Sequence, residues 1–371
     1  MREAFDVAVA GGGMVGSAIA LGCAEAGARV ALLDQGDVAL RAARGNFGLV
    51  WSQGKGDEYP AYAAWTRASV DRWGAFAERM GEAAGTEIGL RQQGGVVFCL
   101  GEAEYEARAA LVARLHNQPG GAKVRMLDRA ALQALLPEAP LGPTVLGGSY
   151  EPADGHVNPL LLLRGMHAAF RAAGGAHLPG GTITAIRPGF PFEIDREGGE
   201  TIRAARVVVA AGLGTMRLAA MLGMEVPVHP VRGQNIVTER LKLMLRLPAS
   251  GVRQTVEGAV QIGVTSEEGQ DAPVTSVTDL ARMAARAVKV LPPLADARMV
   301  RAWAAIRPMT PDGYPVYAQS AAHPGAFAAV CHSGVTLAAV HRGVLGPAIL
   351  TGDLPDLVAD LGPGRFHARA A

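Results

Sequence analysis

The sequence is short of cysteine, lysine, aromatic residues and net charge, and each shortage removes a class of function. Its three cysteines, Cys23, Cys99 and Cys331, are odd in number and far apart. No disulfide framework and no ribbon- or finger-type zinc site can be written from them. A four-thiolate iron–sulfur cluster needs one more than exist, so any electron chemistry has to use an organic cofactor, with no metal site. The 35 basic and 34 acidic side chains leave a net charge of +1, which offers no footprint for nucleic acid or an anionic membrane. Long apolar runs are missing as well: Val207–Leu213 and Leu160–Leu163 fall far short of a spanning helix. Met1–Phe5 leads into Asp6-Val7-Ala8-Val9-Ala10 and then into glycines, where a secretory signal would place its apolar stretch. A cytoplasmic protein with no membrane span is the expectation. Of the basic residues 31 are arginine and four lysine, a bias that reads as codon usage.

What is present points to a packed protein. Apolar residues make up 49 % and charged residues 19 %, which excludes a disordered or fibrous chain. A length of 371 residues favours two domains, and 48 glycines favour tight turns and close backbone approaches.

The clearest segment is the first. Phe5–Ala10 reads as a buried strand, Gly11-Gly12-Gly13-Met14-Val15-Gly16 follows, Ser17–Ala26 is a small-residue helix, and Arg29–Asp34 is a second strand. This is the strand–turn–helix–strand spacing of a dinucleotide-binding half. Gly11 permits the turn, Gly13 lets the backbone approach a pyrophosphate, Gly16 allows close helix packing, and the helix start attracts the anion. Asp34, followed by Gln35, is placed to accept the ribose hydroxyls, and its carboxylate disfavours a 2′-phosphate. An ordinary glycine-rich turn is the competing reading. The motif alone does not decide between NAD and FAD, but there is no second glycine fingerprint and no redox cysteine pair.

Further on, Tyr59–Met80 has helical periodicity, Gly94–Leu100 reads as a strand and Glu102–His116 as a helix. Asn158-Pro159 starts a helix running to about Ala173. Residues 227–306 are β-rich with one helix, Val277–Val290. Phe327–Val330 into Gly334–Leu350 is again strand, turn, helix.

These residues resemble the D-amino-acid oxidase-like (DAO) superfamily of FAD-dependent amine oxidoreductases. Phe5–Asp34 looks like its nucleotide-binding start. Arg44-Gly45-Asn46-Phe47-Gly48-Leu49 falls where the family places a flavin-contacting loop, and Asp154-Gly155-His156-Val157-Asn158-Pro159 is similar to its "D-G-x-V-x-P" helix entry. Val207–Gly212, Ile306-Arg307-Pro308, Thr310–Pro315 and His332–Ala338 resemble later signatures. The resemblance spans essentially the whole chain. The compact length looks closest to the small FAD subunits of opine, D-hydroxyproline and hydrogen cyanide-forming amino-acid dehydrogenases.

The resemblance implies an α/β fold: a Rossmann-like FAD-binding domain of the GR2 type and a second, β-rich substrate domain of mixed sheet plus helices. The expected division is 1–85, 150–222 and 305–371 for FAD, and 86–149 and 223–304 for substrate. It implies oxidation of the C–N bond of an amino acid, imino acid or opine-like secondary amine, with hydride passing from the α-carbon to flavin. FAD is expected without a covalent link. Its expected contacts are the Gly11–Gly16 turn with Met14 and Val15, Asp34, Gln35, Arg44–Leu49, Ile183, Ala211, Gly212, and Ser333, Gly334, Val335, Thr336 and Leu337. The last of these open a helix that would face the flavin's pyrimidine edge, with Ser333 as its cap.

Arg307 is the expected carboxylate clamp, since a guanidinium grips a carboxylate through two parallel bonds; a surface arginine is the rival reading. His332 stands where glycine oxidase-like members can carry a substrate-side arginine, so it either orients substrate as a mild acid or base or is structural. Tyr150 and Arg253 are expected on the substrate side. His156 reads as a packing residue, and Trp51, Trp65, Trp73 and Trp303 as core. A hetero-oligomer is expected, with a [2Fe–2S] or second flavin subunit as electron acceptor. The alternatives are a non-catalytic FAD or assembly subunit of a heteromeric dehydrogenase, and a NAD-dependent dehydrogenase.

Overall fold

The computed structural model describes residues 4–36 and 41–367. Phe5–Ala10 and Val30–Asp34 are short apolar strands, so both faces must be covered, and they sit at the centre of an eight-stranded sheet. The order across it is Val316–Gln319, Ala326–Val330, Ile202–Val209, Phe5–Ala10, Val30–Asp34 and Ala176–Pro179. All neighbours are parallel except the first pair. The hairpin Ile183–Arg187 and Phe192–Arg196 joins alongside Ile202–Val209. One face packs on the helices Met14–Glu25, Pro60–Val70, Trp73–Ala84, Pro159–Ala172 and Gly334–Val340, and the other on a smaller apolar cluster around Ile183, Phe192 and Leu218.

A five-stranded sheet is built on His229–Arg240, which runs antiparallel to Met299–Met309 and to Ala259–Gly263. A three-stranded sheet, Gly95–Leu100, Val145–Glu151 and Arg125–Asp128, lies against it, and both share one apolar core drawn from residues 96–145 and 236–294.

Two helices depart from the expected continuity. Tyr59–Met80 is broken into Pro60–Val70 and Trp73–Ala84, because side chains take over the terminal carbonyls: Gln92 donates to Val70 O at 3.0 Å and Arg72 to Ala68 O at 2.6 Å. The last helix is interrupted by a π turn, His341–Leu345, ahead of Gly346–Thr351. Pro347 has no N–H to continue the ladder. At the same place Gly346 lies so close to Gly22 that a Cβ would fall 2.9 Å from its Cα.

Candidate active site

The carboxyl ends of the parallel strands open on one cavity of about 760 Å³. At one end stands the glycine turn. A Cβ on Gly16 would fall 1.8 Å from Gly11 O, and one on Gly11 2.3 Å from Ala210 O, whereas one on Gly13 would meet only Ala43 Cβ at 3.7 Å. Gly11 and Gly16 are therefore held by close packing, and Gly13 opens toward the cavity. The helix Met14–Glu25 begins there with no side-chain cap and no acidic residue in its first turn, which leaves its amides for an anion. Asp34 accepts from Gly12 N at 2.7 Å and from Gly36 N at 2.8 Å. His167 was not singled out in the sequence, yet it and Ser17 both donate to Gly12 O at 2.9 Å. Burial pulls His167 down to about 4, so its ring is neutral.

The loop Arg44–Leu49 forms one wall. Asn46 Oδ1 accepts from Gly48 N at 2.6 Å, and Gly45 O accepts from Trp303 Nε1 at 3.2 Å. Arg44, Gly45, Asn46, Phe47 and Leu49 reach the cavity; Gly48 does not, being pressed against Val157 O. Met14, Val15, Gln35, Ile183, Ala211 and Gly212 also line it. Gly16 lies behind the turn.

The same cavity holds Arg307, His332 and Lys55. Arg307 comes from the long strand Met299–Met309, donates to Thr265 O at 2.7 Å and lies flat over Gly233, where a Cβ would fall 2.1 Å from Nη2. Burial lowers its pKa, though a guanidinium stays charged. His332 follows the strand Ala326–Val330. Burial first, then the charges of Lys55 and Arg307, hold its imidazole well below the ordinary value, so it is neutral. Its Nε2 is 3.0 Å from Lys55 Nζ and 3.2 Å from Ser333 Oγ.

Lys55 is the residue that the sequence reading missed. Its loop is fixed by the buried Asp154, which accepts from Ser52 N at 2.6 Å, Ser52 Oγ at 2.7 Å and Gln53 N at 3.4 Å. Burial, with Arg307 adding to it, brings Lys55 down to about 8. The available signal was its rarity, one of four lysines beside 31 arginines, set between Gly54 and Gly56.

Several expectations are corrected by the geometry. Tyr150 is outside the cavity lining; its ring covers Gly94, under the Arg125 guanidinium at 5.4 Å. Arg253 is also outside it. It is buried, donates to Gln261 Oε1 at 2.7 Å and His156 Nδ1 at 2.8 Å, and supports the Phe47 ring at 5.6 Å. Ser333 makes no side-chain cap; its hydroxyl is 2.7 Å from Tyr62 Oη instead. Gly334, Val335 and Thr336 reach the cavity, Gly334 directly beside Met14, but Leu337 is core. Trp51 lines the cavity, and the Trp303 indole donates to Gly45 O of the Arg44–Leu49 loop; Trp65 and Trp73 are core.

Together the sheet, the glycine turn and the long cavity define an α/β protein with a site for an extended dinucleotide. The chain belongs to the DAO family of FAD-dependent oxidoreductases, whose model matches residues 6–341. It is 39 % identical over 99 % of both chains to a subunit of the opine oxidase of Agrobacterium tumefaciens (strain Ach5). Identity to glycine oxidase of Geobacillus kaustophilus (strain HTA426) is 28 %, over 89 % of this chain and 88 % of that one. The crystal structure of glycine oxidase from Geobacillus kaustophilus superposes with a TM-score of 0.89 at 25 % identity, covering 97 % of this chain and 98 % of that one. L-proline dehydrogenase from P. horikoshii shares the fold, with a TM-score of 0.84 over 100 % of this chain and 99 % of that one at 19 % identity. The protein is an FAD-dependent oxidoreductase. No described helix is long and apolar enough to cross a membrane.

Proposed function

We propose that this protein oxidises the C–N bond of an amino acid, imino acid or opine-like secondary amine, giving an imine that water hydrolyses. Arg307 in the same cavity as the dinucleotide cradle carries this reading. Bound FAD supplies the hydride acceptor. Gly11–Val15 and Asp34 would hold its pyrophosphate and ribose, and Arg44–Phe47 with Gly334–Thr336 would hold the flavin. Arg307 grips a carboxylate and sets the α-carbon, while the neutral His332, whose Nε2 accepts from Lys55 Nζ at 3.0 Å, positions that lysine beside it. Burial pushes the Cys331 thiol up to about 12, so it is a poor nucleophile, in keeping with FAD held without a covalent link.

The test is the visible spectrum of the FAD-loaded protein under anaerobic addition of D- and L-amino acids, sarcosine, hydroxyproline and opines. Bleaching by one class names the substrate. A flavin that every candidate leaves oxidised would overturn the reading.

A second reading is supported by two relatives at 39 % identity, each of which is named as one subunit of an opine oxidase. Here the chain works within a heteromeric complex, and a [2Fe–2S] or second flavin subunit takes the electrons. Co-purification from the native host, with metal and flavin analysis, separates the two.

A further inference from the structure

A second cavity, of about 240 Å³, is lined from the helix Val277–Val290 and the strands Val252–Gln254 and Ala259–Gly263. Its walls are the apolar side chains of Phe98, Val252, Ile262, Met283, Ala287 and Val290. Arg286 is the one charged residue among the described lining residues, and Glu104 holds both of its terminal nitrogens, at 2.7 and 2.8 Å. Nothing charged in this lining waits for a ligand, so the chamber suits hydrocarbon. An engineered apolar cavity of ~150 Å³ stays dry and binds benzene, and this chamber is larger.

The chamber adjoins the candidate active site. Ser250 and Val264 line both cavities. Val264 is 43 % exposed, whereas Ile262, Gly263 and Thr265 around it are buried. Its side chain is thus the loosely packed part of the wall between the two spaces. Thr265, the next residue, supplies the carbonyl that seats Arg307 at 2.7 Å. One short stretch of chain therefore carries both the seat of the guanidinium and the rim of the chamber. A molecule that uses both has an acid group at one end and an apolar chain at the other.

We propose that this chamber is a subsite for an apolar side chain of the substrate, entered between Ser250 and Val264, with Val264 setting the width of its mouth. The inference rests on the function proposed above and goes beyond it, because it gives the substrate a sizeable aliphatic or aromatic group beside the carboxylate that Arg307 grips.

The test reads binding without turnover. Unbranched monocarboxylates from acetate to octanoate carry no amine and cannot be oxidised at a C–N bond. Their dissociation constants are measured on the FAD-loaded full chain from the perturbation of the flavin spectrum. Burying one methylene strengthens binding about fourfold, so affinity is expected to climb by that step along the series and level off once the chamber is full. Ala287→Phe fills the chamber from the helix side. It should flatten the climb for the longer acids and leave acetate within about twofold of wild type, since residue 287 lines only the chamber. Met283→Phe, at a half-buried position on the same helix, should do the same if Ala287→Phe does not fold. Val264→Ala widens the mouth and should strengthen 4-phenylbutyrate roughly threefold or more.

A wild-type protein that binds octanoate no tighter than butyrate would overturn the proposal, and that measurement needs no variant. A climb that both filling variants leave untouched would overturn it too, since the chain would then lie in the main cavity. An unchanged 4-phenylbutyrate constant in Val264→Ala would overturn the role given to Val264. Failure of the function reading looks different: the long acids would bind tightly and the filled variants would lose them, yet no amine would bleach the flavin.

Discussion

The carboxylate of Asp34 accepts a 2.7 Å hydrogen bond from the amide of Gly12, so the end of the second strand and the middle of the glycine turn are one rigid unit. Gly36 N holds the other oxygen at 2.8 Å. The carboxylate is thus oriented before any ribose arrives, and its remaining lone pairs face the cavity. Asp34→Ala removes both the acceptor proposed for the ribose and the brace on Gly12. Hydrogen bonds to a charged group are worth ~1.5–3 kcal/mol, so FAD affinity is expected to fall roughly ten- to hundredfold. Titration of the apoprotein with FAD checks this. Asp34→Asn, which can still accept from Gly12 N, should lose less.

This turn was legible in the sequence because every signal in it is local: a strand, three glycines at fixed spacing, a helix and an acid. Lys55 was not. Its place depends on Asp154, a hundred residues later, drawing Ser52 and Gln53 inward, and no short-range pattern announces that contact. Tyr150 and Arg253 were misplaced for a related reason. A strand residue faces one side or the other according to register, and register is set by pairing partners far along the chain. In the structure Tyr150 pairs with Val96 and Arg125, and Arg253 with Gln261, which turns both away from the cavity. The helices Glu102–His116 and Val277–Val290 were readable to the residue, since propensity and boundary signals agree there. The π turn at His341 was not, because it answers to Gly22 on another helix.

Arg307 owes its position to the missing side chain at residue 233. Gly233→Ala would put a methyl group 2.1 Å from Nη2 and push the guanidinium off its seat without touching any charge. It should therefore copy Arg307→Lys, which keeps the charge and loses the two-pronged geometry. Both are expected to raise KM for a carboxylate substrate roughly tenfold or more, with a smaller change in kcat and no loss of FAD. Steady-state kinetics beside an FAD titration would show it. A Gly233→Ala enzyme with wild-type KM would remove Arg307 from the substrate site.

In the core beneath the site, Trp65 Nε1 donates to Tyr317 Oη at 2.8 Å, and Tyr317 Oη is 2.7 Å from His341 Nε2. The phenol has one proton, already receives the indole N–H, and so donates to the imidazole. That assigns the histidine proton to Nδ1, which has no partner among the described residues. Tyr317→Phe would leave two more buried polar groups without partners, at ~1–3 kcal/mol each. A loss of about 2–4 kcal/mol is expected, read from chemical denaturation of the apoprotein. Losing this network should leave FAD affinity intact, since none of its members lines the cavity.

The buried ionisable groups set opposing pH dependences. Burial lowers His156 and His341 to about 3 and His167 to about 4, and holds His332 well below the ordinary 6.5, so all four are neutral in the fold and protonated in the unfolded chain between about pH 4 and 6.5. There the unfolded state binds more protons, and stability falls as pH drops below 6.5. Asp154 has the other sign. Burial raises it to about 7 from 3.8, so between those values the fold keeps a proton that the unfolded chain has lost, and stability falls as pH rises. Each group has a limiting slope of ~1.4 kcal/mol per pH unit. Between about pH 4 and 6.5 the four histidines outweigh the one aspartate, so the protein is less stable in acid. Asp154→Asn removes the opposing contribution, since its amide oxygen can still accept from Ser52 while carrying no titratable proton. The acid-side decline of the variant should then be steeper than that of the wild type by about one group's slope, ~1.4 kcal/mol per pH unit. Denaturation midpoints at half-unit steps from pH 4.5 to 6.5 measure both slopes, and parallel curves would mean that Asp154 stays ionised in the fold.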